Sequence, residues 1–166
     1  MRFQIGLTLA ILGLAALPVW AEHASVDLRI FRLDAATGKS DGETEAHADQ
    51  EPPAGGVQPR PLFKAKANQP LVLQFMLDNT YPHGDVKDVT VTYFVARVEK
   101  PKQKTLPDLD KAVTKGSFTL NFKPKARVGA RVAFKIKEPG FYLLRVHTTN
   151  TNSDHEHFSA IDLQIE

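Results

Sequence analysis

Residues 131–148 read RVAFKIKEPGFYLLRVHT, and this stretch decides the fold. Val132, Phe134 and Ile136 alternate with Arg131, Lys135 and Lys137. A period of two sends apolar side chains to one face and cations to the other, the pattern of a half-buried strand. Pro139-Gly140 turns the chain. Tyr142, Leu144 and Val146 then align on one face of a second strand. Working outward, the same alternation recurs in SVDLRIFRL (25–33), PLVLQFMLD (70–78), GSFTLNF (116–122) and HFSAIDLQI (157–165). The segment 88–98 (DVTVTYFVARV) becomes apolar on both faces in its second half, which predicts a central strand. PLFKAKA (61–67) is a short edge piece. No stretch keeps helical spacing, and 106–113 holds at most one short turn or helix. About seven short strands separated by turn signals predict an all-β, antiparallel β-sandwich; without βαβ alternation a parallel sheet is not expected.

The phrase Pro139-Gly140-Phe141-Tyr142-Leu143-Leu144-Arg145-Val146 resembles the penultimate strand of immunoglobulin-like and fibronectin-III-like domains. Gln69-Pro70-Leu71-Val72-Leu73 is similar to the second strand of that class. The resemblance implies an immunoglobulin-like order of strands, and it implies no function. The Cys…Trp…Cys pattern of antibody domains is missing.

The N-terminus carries one basic residue, Arg2, then the apolar run Ile5 to Leu17, then Val19-Trp20-Ala21. That is the plan of a secretory signal peptide cleaved after residue 21. It predicts a mature domain of residues 22–166, periplasmic or secreted, without a stable membrane anchor after cleavage. Because the chain has no cysteine, disulfides, thiolate metal sites and cysteine nucleophiles are excluded.

Charge is unevenly placed. Residues 34–57 hold Asp34, Asp41, Glu43, Glu45, Asp49 and Glu51 against Lys39 alone. Residues 99–137 hold eleven Lys/Arg against Glu99, Asp108 and Asp110. Residues 34–60 are also rich in Gly and Pro and poor in apolar side chains, so they are expected to form a mobile acidic loop.

All six histidines lie beyond residue 21. In an antiparallel sandwich the loops after the strands 70–78, 117–122 and 141–148 share one pole with the start of strand 25–33. That topology gathers His83, His155, His157, His147 and His23 at one end and leaves His47 in the acidic loop. Parity turns His155 and His157 to the core side and His147 outward. His83, His155 and His157, with Asp154 as a further ligand or orienting carboxylate, form a candidate copper or zinc site. A general likeness to the small β-sandwich copper carriers of the bacterial envelope goes with it. The chain departs from those carriers in lacking an N-terminal His and a Met-rich segment.

Gly-x-Ser-x-Gly, His-Glu-x-x-His and phosphate-binding Gly-rich motifs are missing, and no enzyme activity is expected. Export argues against a nucleic-acid partner. The primary expectation is an exported binding or adaptor domain that meets an envelope protein or an anionic surface. A periplasmic copper- or zinc-binding protein and a purely structural module are the alternatives.

Overall fold

A computed structural model describes residues 24–34, 36–48, 60–79, 84–150 and 153–166, without the side chains of 48 and 153–156. The strands are β1 (Ser25–Leu33), β2 (Ser40–Ala48), β3 (Leu62–Ala65), β4 (Pro70–Asp78) and β5 (Val86–Val98). They continue with β6 (Thr114–Phe122), β7 (Arg127–Lys135), β8 (Gly140–Asn150) and β9 (Ser153–Ile165). A one-turn 3-10 helix, Leu109–Lys111, interrupts the β5–β6 connection. Sheet I has four strands in the order β2-β1-β4-β7, and sheet II has five in the order β3-β9-β8-β5-β6.

The alternation explains the packing. Val26, Leu28 and Ile30 of β1 and Leu71, Leu73, Phe75 and Leu77 of β4 meet Val89, Val91, Val95, Tyr142, Leu144, Val146, Ile161 and Leu163 from sheet II. These side chains lie between the two sheets at 0–3% exposure. At the corner between β7 and β8 the Tyr142 hydroxyl donates to Glu138 O at 2.9 Å. A strand-start tyrosine bonded back to the chain upstream is a known corner of immunoglobulin-like sandwiches. The Pro139-Gly140 turn therefore carries the chain from sheet I to sheet II rather than closing a hairpin.

Sheet II also packs on its outer face. Phe94, Ala96, Val98, Leu143 and Ala160 form a second apolar cluster, covered by Leu109 and Ala112 of the β5–β6 connection. Asp162, on that face, is 1% exposed. Its Oδ2 accepts from Lys102 N at 2.8 Å and lies 3.3 Å from Arg60 Nε. Arg60 Nη2 donates in turn to Gln103 O at 2.8 Å.

Two features depart from the sequence reading, and both add strands. Residues 40–48 lie inside the expected mobile acidic loop, yet they form β2, paired antiparallel with β1 from Val26↔Ala48 to Leu33↔Ser40. The Arg29 guanidinium reaches Glu43 and Glu45 at 3.2 and 3.0 Å, so the acids of 40–48 have cations to face. Residues 49–59 of that segment lie outside the described residues. β3 pairs parallel, not antiparallel, with β9 from Leu62↔Asp162 to Ala65↔Ile165. It therefore makes no hairpin with β1, and the start of β1 stays at the expected pole, with Ser25 opposite Asp78. No helix among the described residues is long and apolar enough to cross a membrane.

Candidate functional site

The pole that the sequence singles out is real as topology. The start of β1, the end of β4, the starts of β5 and β7, the end of β8 and the start of β9 meet there. The core is polar at this end: Ser25, Asn79, Thr148, His157 and Ser159 are all buried. Asn79 clamps two loops, its Nδ2 donating to Gly84 O at 3.1 Å and to Lys123 O at 3.0 Å. Ser159 Oγ donates to Val26 O and fastens β9 to β1.

Of the four nominated metal ligands, the structure describes one side chain. His157 sits opposite Thr148 on the core face of β9, 3% exposed. His83 lies outside the described residues, as do the side chains of Asp154 and His155. The backbone of Asp154 and His155 belongs to β9, where Asn150 pairs with Ser153. Strands β8 and β9 thus extend to Asn150 and Ser153, well into the segment 150–156 expected as a loop. His147 faces away from the core, in the row Thr92–His147–Phe158. Among the described residues no group of three or more His, Asp or Glu stands ready to hold a metal.

His47 is the residue that the sequence misplaces. It lies near the end of β2, opposite Asp27, at the same pole as His147 and His157. Its Nδ1 contacts Asp27 Oδ1. Asp27 Oδ2 accepts from Arg127 Nη2 at 3.1 Å, and Arg127 Nε reaches Asp78 Oδ1 at 3.2 Å. The period-two alternation in SDGETEAHA, acids and His47 on one parity and Gly, Thr and Ala on the other, could have revealed this strand. A groove of about 400 Å³ between β2 and β9 is lined by His47 together with Glu45, Ala46, Arg60, Pro61 and Phe158.

The outer face of sheet I is electrically divided. Its β2 edge carries Asp41, Glu43 and Glu45, each paired with Arg29 or Arg32. Its β7 edge and the β6–β7 turn carry Lys123, Lys125, Arg127, Arg131 and Lys135, all exposed. Only Arg127 among these five makes an ion pair with a described carboxylate. Arg131 Nε instead donates to Gln74 Oε1 at 2.8 Å.

No family model matches the chain, and no curated protein matches it. Among solved structures it is similar to the soluble domain of PmoD from a Methylocystis species, at 14% identity and a TM-score of 0.45, over 84% of this chain and 90% of that one. It is similar to an AA10 lytic polysaccharide monooxygenase from Streptomyces lividans, at 16% identity and a TM-score of 0.37, over 69% and 63% of the two chains. It is also similar to a family 123 glycoside hydrolase from Clostridium perfringens, at 12% identity and a TM-score of 0.43, over 64% of this chain. The chain spans only 23% of that hydrolase. At this distance the likeness extends to sheet-rich architecture alone.

Proposed function

We propose that this chain is an exported, non-enzymatic binding or adaptor domain that contacts an anionic partner, an envelope protein or an anionic surface, through the β7 edge of sheet I. The observation that carries this reading is the run of exposed cations Lys123, Lys125, Arg131 and Lys135, for which no described carboxylate forms an ion pair. They sit on one strand and one turn held by a packed sandwich, so their spacing is fixed before a partner arrives. Such a field draws in opposite charge and weakens as salt shortens the screening length to about 10 Å at 0.1 M.

The test is binding of the immobilised protein to an extract of the cell envelope and to anionic lipid vesicles, at low and high salt. Lys123→Glu/Lys125→Glu/Arg131→Glu/Lys135→Glu is the companion variant. Salt-sensitive capture that the fourfold reversal abolishes supports the reading. Capture that ignores both salt and the reversal refutes it.

A second reading is a copper or zinc site at the histidine pole, through His83, His155 and His157 with Asp154. The placement of His47 favours it: a carboxylate on Nδ1 fixes the ring's orientation, as carboxylates do for metal-binding histidines, at the pole where His157 lies. Calorimetric titration with Cu²⁺ and Zn²⁺ decides it. Heats lost in His47→Ala and in His155→Ala/His157→Ala support a site; equal weak heats in all three proteins end it.

A further inference from the structure

We infer that this protein associates head to tail with copies of itself, the acidic β2 edge of one sandwich meeting the basic β7 edge of the next. The inference rests on β7 being a binding edge and names the partner as a second copy of the chain.

Sheet I ends in β2 and β7, and sheet II ends in β3 and β6. The outer side of an edge strand presents unpaired N–H and C=O groups, a template for another strand. Charge decides which strand fits. Asp41, Glu43 and Glu45 share two cations, Arg29 and Arg32, so the β2 edge keeps an acidic excess that disfavours a second β2, and Arg131 and Lys135, which pair with no described carboxylate, disfavour a second β7. Only the unlike pairing is favourable, so attraction and exclusion select the same contact.

The registers make the match specific. Glu45 lies opposite Arg29, Arg29 opposite Gln74, and Gln74 opposite Arg131. Glu45 and Arg131 therefore terminate one row at the two edges of the same sheet. A copy displaced along that row sets its Arg131 beside Glu45 of its neighbour. Strand direction agrees: β2 runs with β4 and against β7, so the displaced copy forms an antiparallel ladder.

Sheet II supplies an independent match. A row from Leu62 passes through Asp162, Leu143 and Ala96, and at the far edge Val113, the residue before β6, donates its N–H to Val95 O at 2.7 Å. Leu62 is 43% exposed and Val113 39%, large apolar side chains left in solvent at the two edges of sheet II. β2 packs on β9, the neighbour of β3, so the β3 edge with Leu62 lies on the β2 side of the sandwich and the β6 edge with Val113 on the other. β3 and β6 are also antiparallel to each other. Because the two surfaces differ, the contact is heterologous and repeats from copy to copy, giving assemblies larger than a dimer.

Sedimentation velocity over a concentration series, at low salt and at about 1 M salt where screening falls to about 3 Å, tests this in the mature protein. The variants are Glu45→Lys, Arg131→Glu and the double exchange, with circular dichroism and melting curves to confirm folding. Wild type should gain mass with concentration at low salt and lose it at high salt. Each single reversal should weaken association roughly tenfold, by placing like charges face to face. The double exchange should recover it, and so should an equimolar mixture of the two singles, since each then meets its opposite. Leu62→Asp should weaken association without touching the charged row. A monomeric wild type at every concentration, or a double exchange no better than the singles, overturns the inference. If that protein still captures an anionic partner through β7, self-association fails and the binding function stands; if it captures nothing, both fail.

Discussion

Replacing Asp162 with Asn should be among the most damaging single changes in this domain. The side chain is 2% exposed and its Arg60 partner 10%, with Oδ2 3.3 Å from Arg60 Nε. The substitution keeps the size and one acceptor for the Lys102 N–H, which now stands 2.8 Å from Oδ2. It removes the charge and turns the other carboxylate oxygen into an amide donor. Arg60 is then left as a buried cation without its counter-ion, and breaking such a pair costs about 3–5 kcal/mol, against about 0–1 kcal/mol for an exposed pair. Asp162 starts from an imperfect position, since its Oδ1 has no hydrogen-bond partner among the described residues, so the lower half of that range is expected. For a domain of total stability about 5–15 kcal/mol this is a large share. With a urea m-value near 2 kcal/mol/M, a loss of about 3–4 kcal/mol moves the midpoint down by about 1.5–2 M. The control is Arg60→Met/Asp162→Leu, which removes both charges and should restore most of the loss. Urea unfolding followed by far-ultraviolet circular dichroism reads each variant. A loss below about 1 kcal/mol for Asp162→Asn would mean that water reaches the pair, and it would refute the account of Asp162 as the pin that holds residues 60–61 and 99–103 on sheet II.

Tyr142→Phe removes the corner bond to Glu138 O and should cost about 1–3 kcal/mol, read as a fall in melting temperature. Burial raises the Tyr142 pKa above its ordinary 10.0, so the protonated hydroxyl is favoured in the fold. Its stabilisation is complete below the unfolded value of about 10 and is lost as pH rises through the higher folded value; the alkaline fall in stability should therefore be shallower in Tyr142→Phe than in wild type. Gly116→Ala sets a Cβ 2.5 Å from the Tyr93 hydroxyl and 2.6 Å from its ring, and Tyr93 packs on Phe75 at 5.9 Å. It should cost about 1–3 kcal/mol of overpacking and shift the tyrosine fluorescence; an unchanged melt would show that the ring swings aside freely. Asn79→Ala breaks both loop clamps and should cost about 2 kcal/mol, with amide exchange rising at Gly84 and Lys123 before the sheets.

The architecture was legible where burial imposes a period of two. Strands β1, β4, β5 and β8 each have one face in the core, and their alternation reports it directly. β2 escaped because its inward side chains are Gly42, Thr44 and Ala46, which carry almost no hydrophobic signal, while its outward ones are acids. Composition sees such a segment as loop, yet its pairing with β1 is held by Arg29 and Arg32, residues that only the fold brings alongside. β3 was seen as an edge piece, but its partner was not. A parallel neighbour 100 residues away leaves no local trace, since Phe63 and Ala65 would be buried in any edge strand.

The same logic separates what was legible of the site. Topology alone sent the strand ends to one pole, and parity alone put His157 on the core side, where it lies buried. His47 could not be placed without β2, so its meeting with Asp27 was hidden by the same weak hydrophobic signal. The charge asymmetry, by contrast, was visible as two runs of sequence but not as two edges of one sheet. Only the order β2-β1-β4-β7 turns the acids of 41–45 and the cations of 127–135 into opposite borders of a single face. An acidic edge or a basic edge taken singly is an ordinary defence against strand pairing. Edges of opposite sign on the same sheet defend against like pairing while permitting the unlike one, and so the arrangement that keeps this domain from random aggregation is also the one that gives its edges a defined complement.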